Sequence, residues 1–319
     1  MDQFKAALID PLGRHSDIES DILAAAGVDL VARKCTTDDE VVALARDADA
    51  VMVVIYPITE AVLAQCPKLR VIVRYGVGVD NVDLAAATAH GVMVCNVPDY
   101  CIDEVANHSM AMLLALNRRL VPQGNAMRLA TRFRLAPMGR LRGETLGLIG
   151  FGRLARAVAD RARGFGLTVI AYDPYAAAGP ADVRLLPLDT VLAEADYVSV
   201  HVPLTPQTRD LIGAREFALM KPTAYIISTA RGGIISERDL AQALDAGQLA
   251  GAGLDVWEQE PVSPDNPLLG YPQVIPTPHT GYFSNESAPA IRRRVAEIAS
   301  EALLGGIPES VVNREVLAP

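Results

Sequence analysis

Twice along this chain, short apolar runs alternate with helix-length amphipathic segments. In the first series FKAALID (4–10) reads as a strand and Asp17–Ala26 as a helix. VDLVARK and ADAVMVVIY read as strands around a helix over Asp38–Asp47. LRVIVRYGVG (69–78) and VMVCNVPD (92–99) follow, with a helix over Val82–Ala89 between them. Continuous β-rich runs separated by helices predict a parallel sheet covered on both faces. The rhythm breaks at Ile102–Val121, which reads as one long helix. Asp103 is its expected N-cap, and Val105, Ala106, Met110, Leu113, Leu114 and Leu120 form its apolar stripe. The basic stretch 124–144 shows no strand pattern. A second series then runs from TLGLIGFG (145–152) through LTVIAYD, YVSVHVP, TAYIISTA and GAGLDVW to VIPTPH, with a helix over Ser236–Ala246. A last helix, Glu286–Leu304, has no partner left in that series and is expected to return to the first.

Length and composition agree with two domains. The chain has 319 residues, 50% of them hydrophobic and 21% charged, which excludes extensive disorder. Lys and Arg number 29 against 38 for Asp and Glu, so the net charge is −9. A pI near 5.1 argues against nucleic-acid and anionic-membrane partners. The longest apolar runs, VMVVIY (51–56) and MAMLLAL (110–116), fall well short of the ~20 residues a membrane span needs. The N-terminus carries no signal-peptide pattern. Cys35, Cys66, Cys95 and Cys101 include no C-x-x-C pair and read as reduced cytoplasmic thiols, and no metal site is expected.

The strongest local signal is Gly150-Phe-Gly152-Arg-Leu-Ala155, placed after the strand TLGLI and before a helix. The first glycine permits a tight turn. The second lets the backbone approach a pyrophosphate at the helix N-terminus. Asp173 ends the next strand, where a carboxylate accepts from the adenosine ribose hydroxyls and repels a 2′-phosphate. NAD is therefore the expected cofactor. No Lys-Ser/Thr pair follows the glycines, which rules out a P-loop.

Three polar residues follow strands of the second series: Arg231, Glu260 and His279. Reduction of a 2-oxo acid needs a cation for the carboxylate and a proton donor for the carbonyl oxygen. Arginine supplies the planar fork. Histidine titrates near neutrality, and a neighbouring carboxylate stabilises its cation.

The motifs RYGVGVDNVD (74–83), RGETLGLIGFGRLARAVA (142–159), VHVPLTPQTRDLI (200–212), STARGGIISERDL (228–240), GAGLDVWEQEP (251–261) and TPHTGY (277–282) together resemble the D-isomer-specific 2-hydroxyacid dehydrogenases over almost the whole chain. The similarity is greatest to the phosphoglycerate dehydrogenase and C-terminal-binding protein branch. The resemblance implies two α/β domains with parallel sheets, Rossmann-like and flavodoxin-like. An NAD-binding domain (99–284) would be inserted into a substrate-binding domain (1–98 plus 285–319). It further implies that His279 is the acid or base, Glu260 its partner and Arg231 the substrate anchor. Val77 and Gly78 would offer backbone N–H groups to the substrate carboxylate. Arg153 and Leu154, with Gly150 and Gly152, would approach the pyrophosphate, and Asp173 the ribose. His201, Pro203 and Thr208 would line the adenosine side. Thr229 and Asp255 would contact the nicotinamide half, and Ala230, Gly281, Arg231 and His279 would also bind the cofactor. A homodimer formed through the NAD domain is also implied.

Two departures from the family stand out. Tyr282 or Phe283 occupies the position where the corepressors carry tryptophan, and Asn107 stands where the family often carries an acid. Tyr56, Tyr75, Tyr100 and Tyr282 are candidates either for the substrate pocket or for aromatic packing. The leading reading is an NAD-dependent enzyme interconverting a 2-oxo acid and a D-2-hydroxy acid. The alternatives are an NAD(H)-sensing, corepressor-like scaffold and a phosphite or formate dehydrogenase. The intact Arg231, Glu260 and His279 favour the enzyme.

Overall fold

The computed structural model describes residues 3–11, 16–130, 137–176 and 182–318. The chain divides into two compact units, Met1–Cys101 with Ser284–Pro319, and Ile102–Phe283. In chain order the first unit contains β1 (Phe4–Leu8), α1 (Asp17–Ala25), β2 (Val28–Ala32), α2 (Asp38–Ala45), β3 (Ala50–Val53), α3 (Glu60–Leu63), β4 (Val71–Arg74), α4 (Leu84–Ala89) and β5 (Met93–Cys95). The second opens with α5 (Ile102–Asn117), α6 (Leu120–Arg128), β6 (Thr145–Ile149), α7 (Arg153–Gly164), β7 (Thr168–Tyr172), β8 (Arg184–Leu185) and α8 (Leu188–Glu194). It continues through β9 (Tyr197–Val200), α9 (Ala214–Leu219), β10 (Tyr225–Ser228), α10 (Glu237–Asp245), β11 (Gly251–Leu254) and β12 (Val274–Pro276), and α11 (Ser287–Leu303) then belongs to the first unit.

Both sheets are parallel throughout. The first has the order β2-β1-β3-β4-β5, a doubly wound arrangement of the flavodoxin type. The second has the order β12-β11-β10-β9-β6-β7-β8, the Rossmann order with one further strand. The order in which strands are added therefore reverses between β1 and β3 in one sheet and between β6 and β9 in the other. Ligands of open α/β sheets bind at such points, beyond the carboxyl ends of the strands.

The period-two pattern of buried strands divides each core into two layers. Ala6 and Leu8 of β1 pack on one face, Ala7 and Ile9 on the other. Helix α11 covers the first face, where Ile291, Val295, Ala299 and Leu303 pack against Leu8, Met52 and Val73. Arg292 fixes that helix by a forked pair with the buried Glu19, Nε at 2.9 Å from Oε1 and Nη2 at 2.6 Å from Oε2. The Tyr75 hydroxyl donates to the same carboxylate at 2.9 Å, so Tyr75 is a core residue of this unit and is withdrawn from the substrate-pocket candidates.

The segment 102–121 is not one helix. It breaks at Arg119, whose φ is 52°, and α6 then extends to Arg128 inside the stretch expected to be irregular. Pro122 is the reason. In a continuous helix its ring would strike the Arg118 carbonyl and it would offer no N–H. In the first turn of a new helix it is tolerated, and the Gln123 side chain donates to the Arg118 carbonyl instead. Residues 131–136 of the same basic stretch lie outside the described residues. Asp103 is not a cap either. It lies in the first turn of α5 and pairs with Arg161 on α7 at 2.6 Å. No helix among the described residues is long and apolar enough to cross a membrane.

Candidate active site

The turn after β6 is shaped for a ligand rather than for packing. Gly150 has a φ of +87°, and a Cβ there would lie 2.9 Å from the His201 carbonyl oxygen. Only glycine suits that position. Gly152 caps the N-terminus of α7 with φ −78°, and a Cβ built on it would meet no protein atom within 4 Å. Nothing in the fold requires that glycine, so the open space at the helix N-terminus fits a dinucleotide pyrophosphate. Arg153 and Leu154 form the first turn of α7 beside it. Asp173, just past β7, accepts from Phe151 N (Oδ2, 2.9 Å) and from Tyr175 N (Oδ1, 2.9 Å). A carboxylate accepts about four hydrogen bonds, so capacity remains for a ribose.

Across the reversal point, His201 follows β9. Burial pushes its imidazole down to about 4, so it is neutral at physiological pH. Its Nε2 lies 2.8 Å from Ser199 Oγ, while Nδ1 is buried with no partner. Such an orphaned atom is a second feature suited to a bound ligand. Thr208 braces the adjoining loop by donating to the Pro203 carbonyl at 2.6 Å.

The three residues expected at the catalytic centre lie past β10, β11 and β12. His279 Nδ1 lies 2.7 Å from Glu260 Oε2, and Glu260 Oε1 accepts from Trp257 N at 3.1 Å. Burial tends to raise the Glu260 carboxyl. The His279 hydrogen bond and charge, the Trp257 N–H and the charge of Arg231 outweigh it and hold the carboxyl below its ordinary value. His279 has a φ of 53°, a left-handed conformation that costs a non-glycine residue energy and often marks a functional position. The tight fit of this loop enforces it, since His279 N donates to the Asp255 carbonyl at 2.7 Å. The Arg231 guanidinium donates to the Ala230 carbonyl at 2.8 Å. Tyr282 stands edge-on to His279 with ring centroids 6.2 Å apart.

Asp255 and Gly281 chiefly build this loop. The buried Asp255 carboxylate receives Thr280 N at 2.9 Å and Gly281 N at 2.8 Å, and also the Thr277 hydroxyl. Burial alone would raise it. Its bonds from His108, Thr277, Thr280 and Gly281 reverse that and lower it. His108 of α5 is a residue that sequence reasoning missed. Its Nε2 lies 3.0 Å from Thr277 Oγ1 and 3.4 Å from Asp255 Oδ1. The adjacent Ser109 hydroxyl donates to the Val105 carbonyl (2.9 Å), so Thr229, 2.9 Å away, is the donor in their mutual bond. Two adjacent polar residues inside an apolar helix stripe were the available signal. Asn107 has a structural task, accepting from Arg161 Nε at 2.7 Å.

The other sequence candidates lie in the first unit. Val77 and Gly78 follow β4, where the Val77 carbonyl accepts from Asn96 Nδ2 at 2.6 Å. The Tyr56 hydroxyl donates to Asp38 at 2.7 Å, and Tyr100 packs against the core.

A glycine turn open at a helix N-terminus on a Rossmann sheet, with an Arg–Glu–His set past its strands, is the arrangement expected of an NAD-dependent oxidoreductase. The family model for the NAD-binding domain of D-isomer specific 2-hydroxyacid dehydrogenases matches residues 110–281. The chain is 39% identical over 286 residues to a glyoxylate reductase of Korarchaeum cryptofilum, covering 85% of each chain. It is 41% identical over 280 residues to a D-3-phosphoglycerate dehydrogenase of Mycobacterium bovis, covering 86% of this chain but 53% of that protein, about half its length. Among solved structures, a glyoxylate reductase from Paecilomyes thermophila superposes with a TM-score of 0.90 at 27% identity, covering 98% of this chain and 99% of that one. The chain belongs to the D-isomer specific 2-hydroxyacid dehydrogenase family, in its phosphoglycerate-dehydrogenase-like branch, and uses NAD. These similarities favour neither the scaffold nor the phosphite or formate dehydrogenase reading.

Proposed function

We propose that the chain reduces a short 2-oxo acid, glyoxylate or a close relative, to its D-2-hydroxy acid, with His279 as the proton donor. The bond between His279 Nδ1 and Glu260 Oε2 at 2.7 Å carries this reading. It commits Nδ1 to the carboxylate and leaves Nε2 as the nitrogen that delivers a proton to the carbonyl oxygen. Bound NAD(H) supplies or accepts the hydride at substrate C2. Glu260, kept ionised, stabilises the imidazolium before transfer and fixes the ring afterwards. Arg231 is proposed to bind the substrate carboxylate through its fork, and Val77 and Gly78 of the first unit are proposed as substrate-binding residues through their backbone N–H groups. Thr229, Ala230, Asp255 and Gly281 are proposed to border the nicotinamide. The open turn at Gly152 supports a dinucleotide, and the charge of Asp173 supports NAD over NADP. The glyoxylate reductase that matches along most of its own length supports a small substrate.

Two further points belong to this reading. Leu120, Met127 and Leu129 around α6 are 56%, 78% and 73% exposed, which supports a homodimer formed through this arm. Four free, buried cysteines support residence in the reducing cytoplasm.

The test is NADH oxidation with glyoxylate, hydroxypyruvate, pyruvate, phenylpyruvate, 2-oxoglutarate and 3-phosphohydroxypyruvate. Glyoxylate or hydroxypyruvate is expected to give the highest kcat/KM. Tight NADH binding without turnover on any of the six would overturn the proposal.

A further inference from the structure

We propose that His108 is a positioning residue: through Thr277 and Asp255 it holds the segment that carries His279. The inference rests on His279 being the proton donor. An ionised carboxylate only accepts, so the Thr277 hydroxyl donates to Asp255 Oδ1 and has no second proton to give. His108 Nε2 lies 3.0 Å from Thr277 Oγ1 and 3.4 Å from Asp255 Oδ1. It is therefore the protonated nitrogen of the ring and donates to that pair.

Asp255 in turn fixes the backbone of three consecutive residues. Its carboxylate receives Thr280 N at 2.9 Å and Gly281 N at 2.8 Å, and its carbonyl receives His279 N at 2.7 Å. These bonds hold His279 at its φ of 53°. The imidazole of His108 also closes over Gly281, where a Cβ would lie 2.8 Å from Asp255 Oδ2 and 3.3 Å from His108 Cδ2. Ser109, the next residue of α5, takes the Thr229 hydroxyl just before Arg231. Neighbouring residues of one helix thus hold the segments that carry Arg231 and His279. Burial would raise the Asp255 carboxyl, and the bond from His108 leads the influences that lower it instead. His279 meets Asp255 through its backbone N–H and turns its ring to Glu260, while β10 meets it through the Ser228 carbonyl.

His108→Leu and His108→Gln separate the donated bond from the bulk of the ring, since the glutamine amide keeps a donor. Amide hydrogen exchange in the full chain needs no substrate. In the leucine variant the Thr280 and Gly281 amides should exchange roughly tenfold faster, the loss of one charge-assisted hydrogen bond. The His201 amide, bonded to Ile149 at the other end of the sheet, should not change. With the 2-oxo acid that is turned over best, kcat per NADH-binding site should fall by a similar factor while NADH affinity changes little. The acid-side fall of kcat/KM should move to higher pH. Without His108 the Asp255 carboxyl rises, and the bonds that need its ionised form are lost earlier as pH falls. The glutamine variant should recover most of the exchange protection and the turnover. Unaltered exchange at Thr280 and Gly281 in the leucine variant, or a glutamine variant as impaired as the leucine one, would overturn the proposal. So would acceleration spread evenly over the unit, or local acceleration with unchanged turnover. A failed proton-donor assignment looks different: His279→Ala then keeps its turnover, while local acceleration in His108→Leu leaves the hold on the segment standing.

Discussion

Where the first sheet reverses, Asp10 lies just past β1 and its carboxylate takes the N–H groups of Val54, Ile55 and Tyr56 at 2.6, 2.7 and 2.9 Å. Where the second sheet reverses, β6 ends in Gly150-Phe151-Gly152, and the space before the next helix is open. The two sites share an architecture and differ in their first occupant. In one, a side chain satisfies the free backbone donors and adds a negative charge. In the other, donors and space are left for a phosphate. On the proposed reading, a reversal point takes a dinucleotide only when no side chain fills it, and the fold alone does not decide which one does.

The largest effect is expected at the catalytic end of the open unit. His279→Ala should lower turnover by roughly a hundred- to ten-thousand-fold, the usual worth of general acid catalysis, while NADH affinity changes little. Unchanged kcat on a confirmed substrate would sink the proton-donor assignment. Next comes the open space itself. Gly152→Asp gives the second unit what the first already has, a carboxylate at the reversal point. NADH affinity should fall at least about a hundredfold, since the side chain takes both the space and the charge of a phosphate. The unliganded protein should unfold at the same temperature or slightly higher, because Asp is a good N-cap and meets no neighbour here. Equal NADH affinity would remove Gly152 from the site.

The converse change belongs to the closed unit. Asp10→Ala leaves three backbone N–H groups without their acceptor and should cost about 2 kcal/mol of stability in thermal unfolding, with NADH affinity intact. A loss of NADH affinity without a loss of stability would show that the first reversal point is not merely braced.

Much of this contrast was legible beforehand, for physical reasons. Buried parallel strands are unbroken apolar runs, so nearly all of them were readable, and the glycine spacing marked the open turn. The break at Arg119 was missed because apolar periodicity runs across it, and Pro122 acts only through the carbonyl four residues back. Tyr75 read as a pocket candidate because its motif contains the segment expected to meet the substrate. Its hydroxyl partner, Glu19, lies 56 positions away in the chain. His108 was missed for the same reason, since its partners Thr277 and Asp255 come from the far end of the second series. Pairings of that range leave no local pattern.

Asp173 tests the comparison most finely, because it shares features of both sites. Like Asp10 it accepts backbone N–H groups, from Phe151 and Tyr175, but only two of them. If its remaining lone pairs serve a ribose and its charge excludes a 2′-phosphate, Asp173→Asn should lower the NAD-to-NADP ratio of kcat/KM about tenfold, the worth of one charge-assisted hydrogen bond. Asparagine keeps one acceptor oxygen but turns its NH2 toward the other backbone N–H, so Asp173→Asn should lose some thermal stability as well, and Asp173→Ala should lose discrimination and stability. An unchanged cofactor ratio in both variants, with stability lost in both, would make Asp173 a brace of the Asp10 kind. Cofactor choice would then have to come from other groups around the turn.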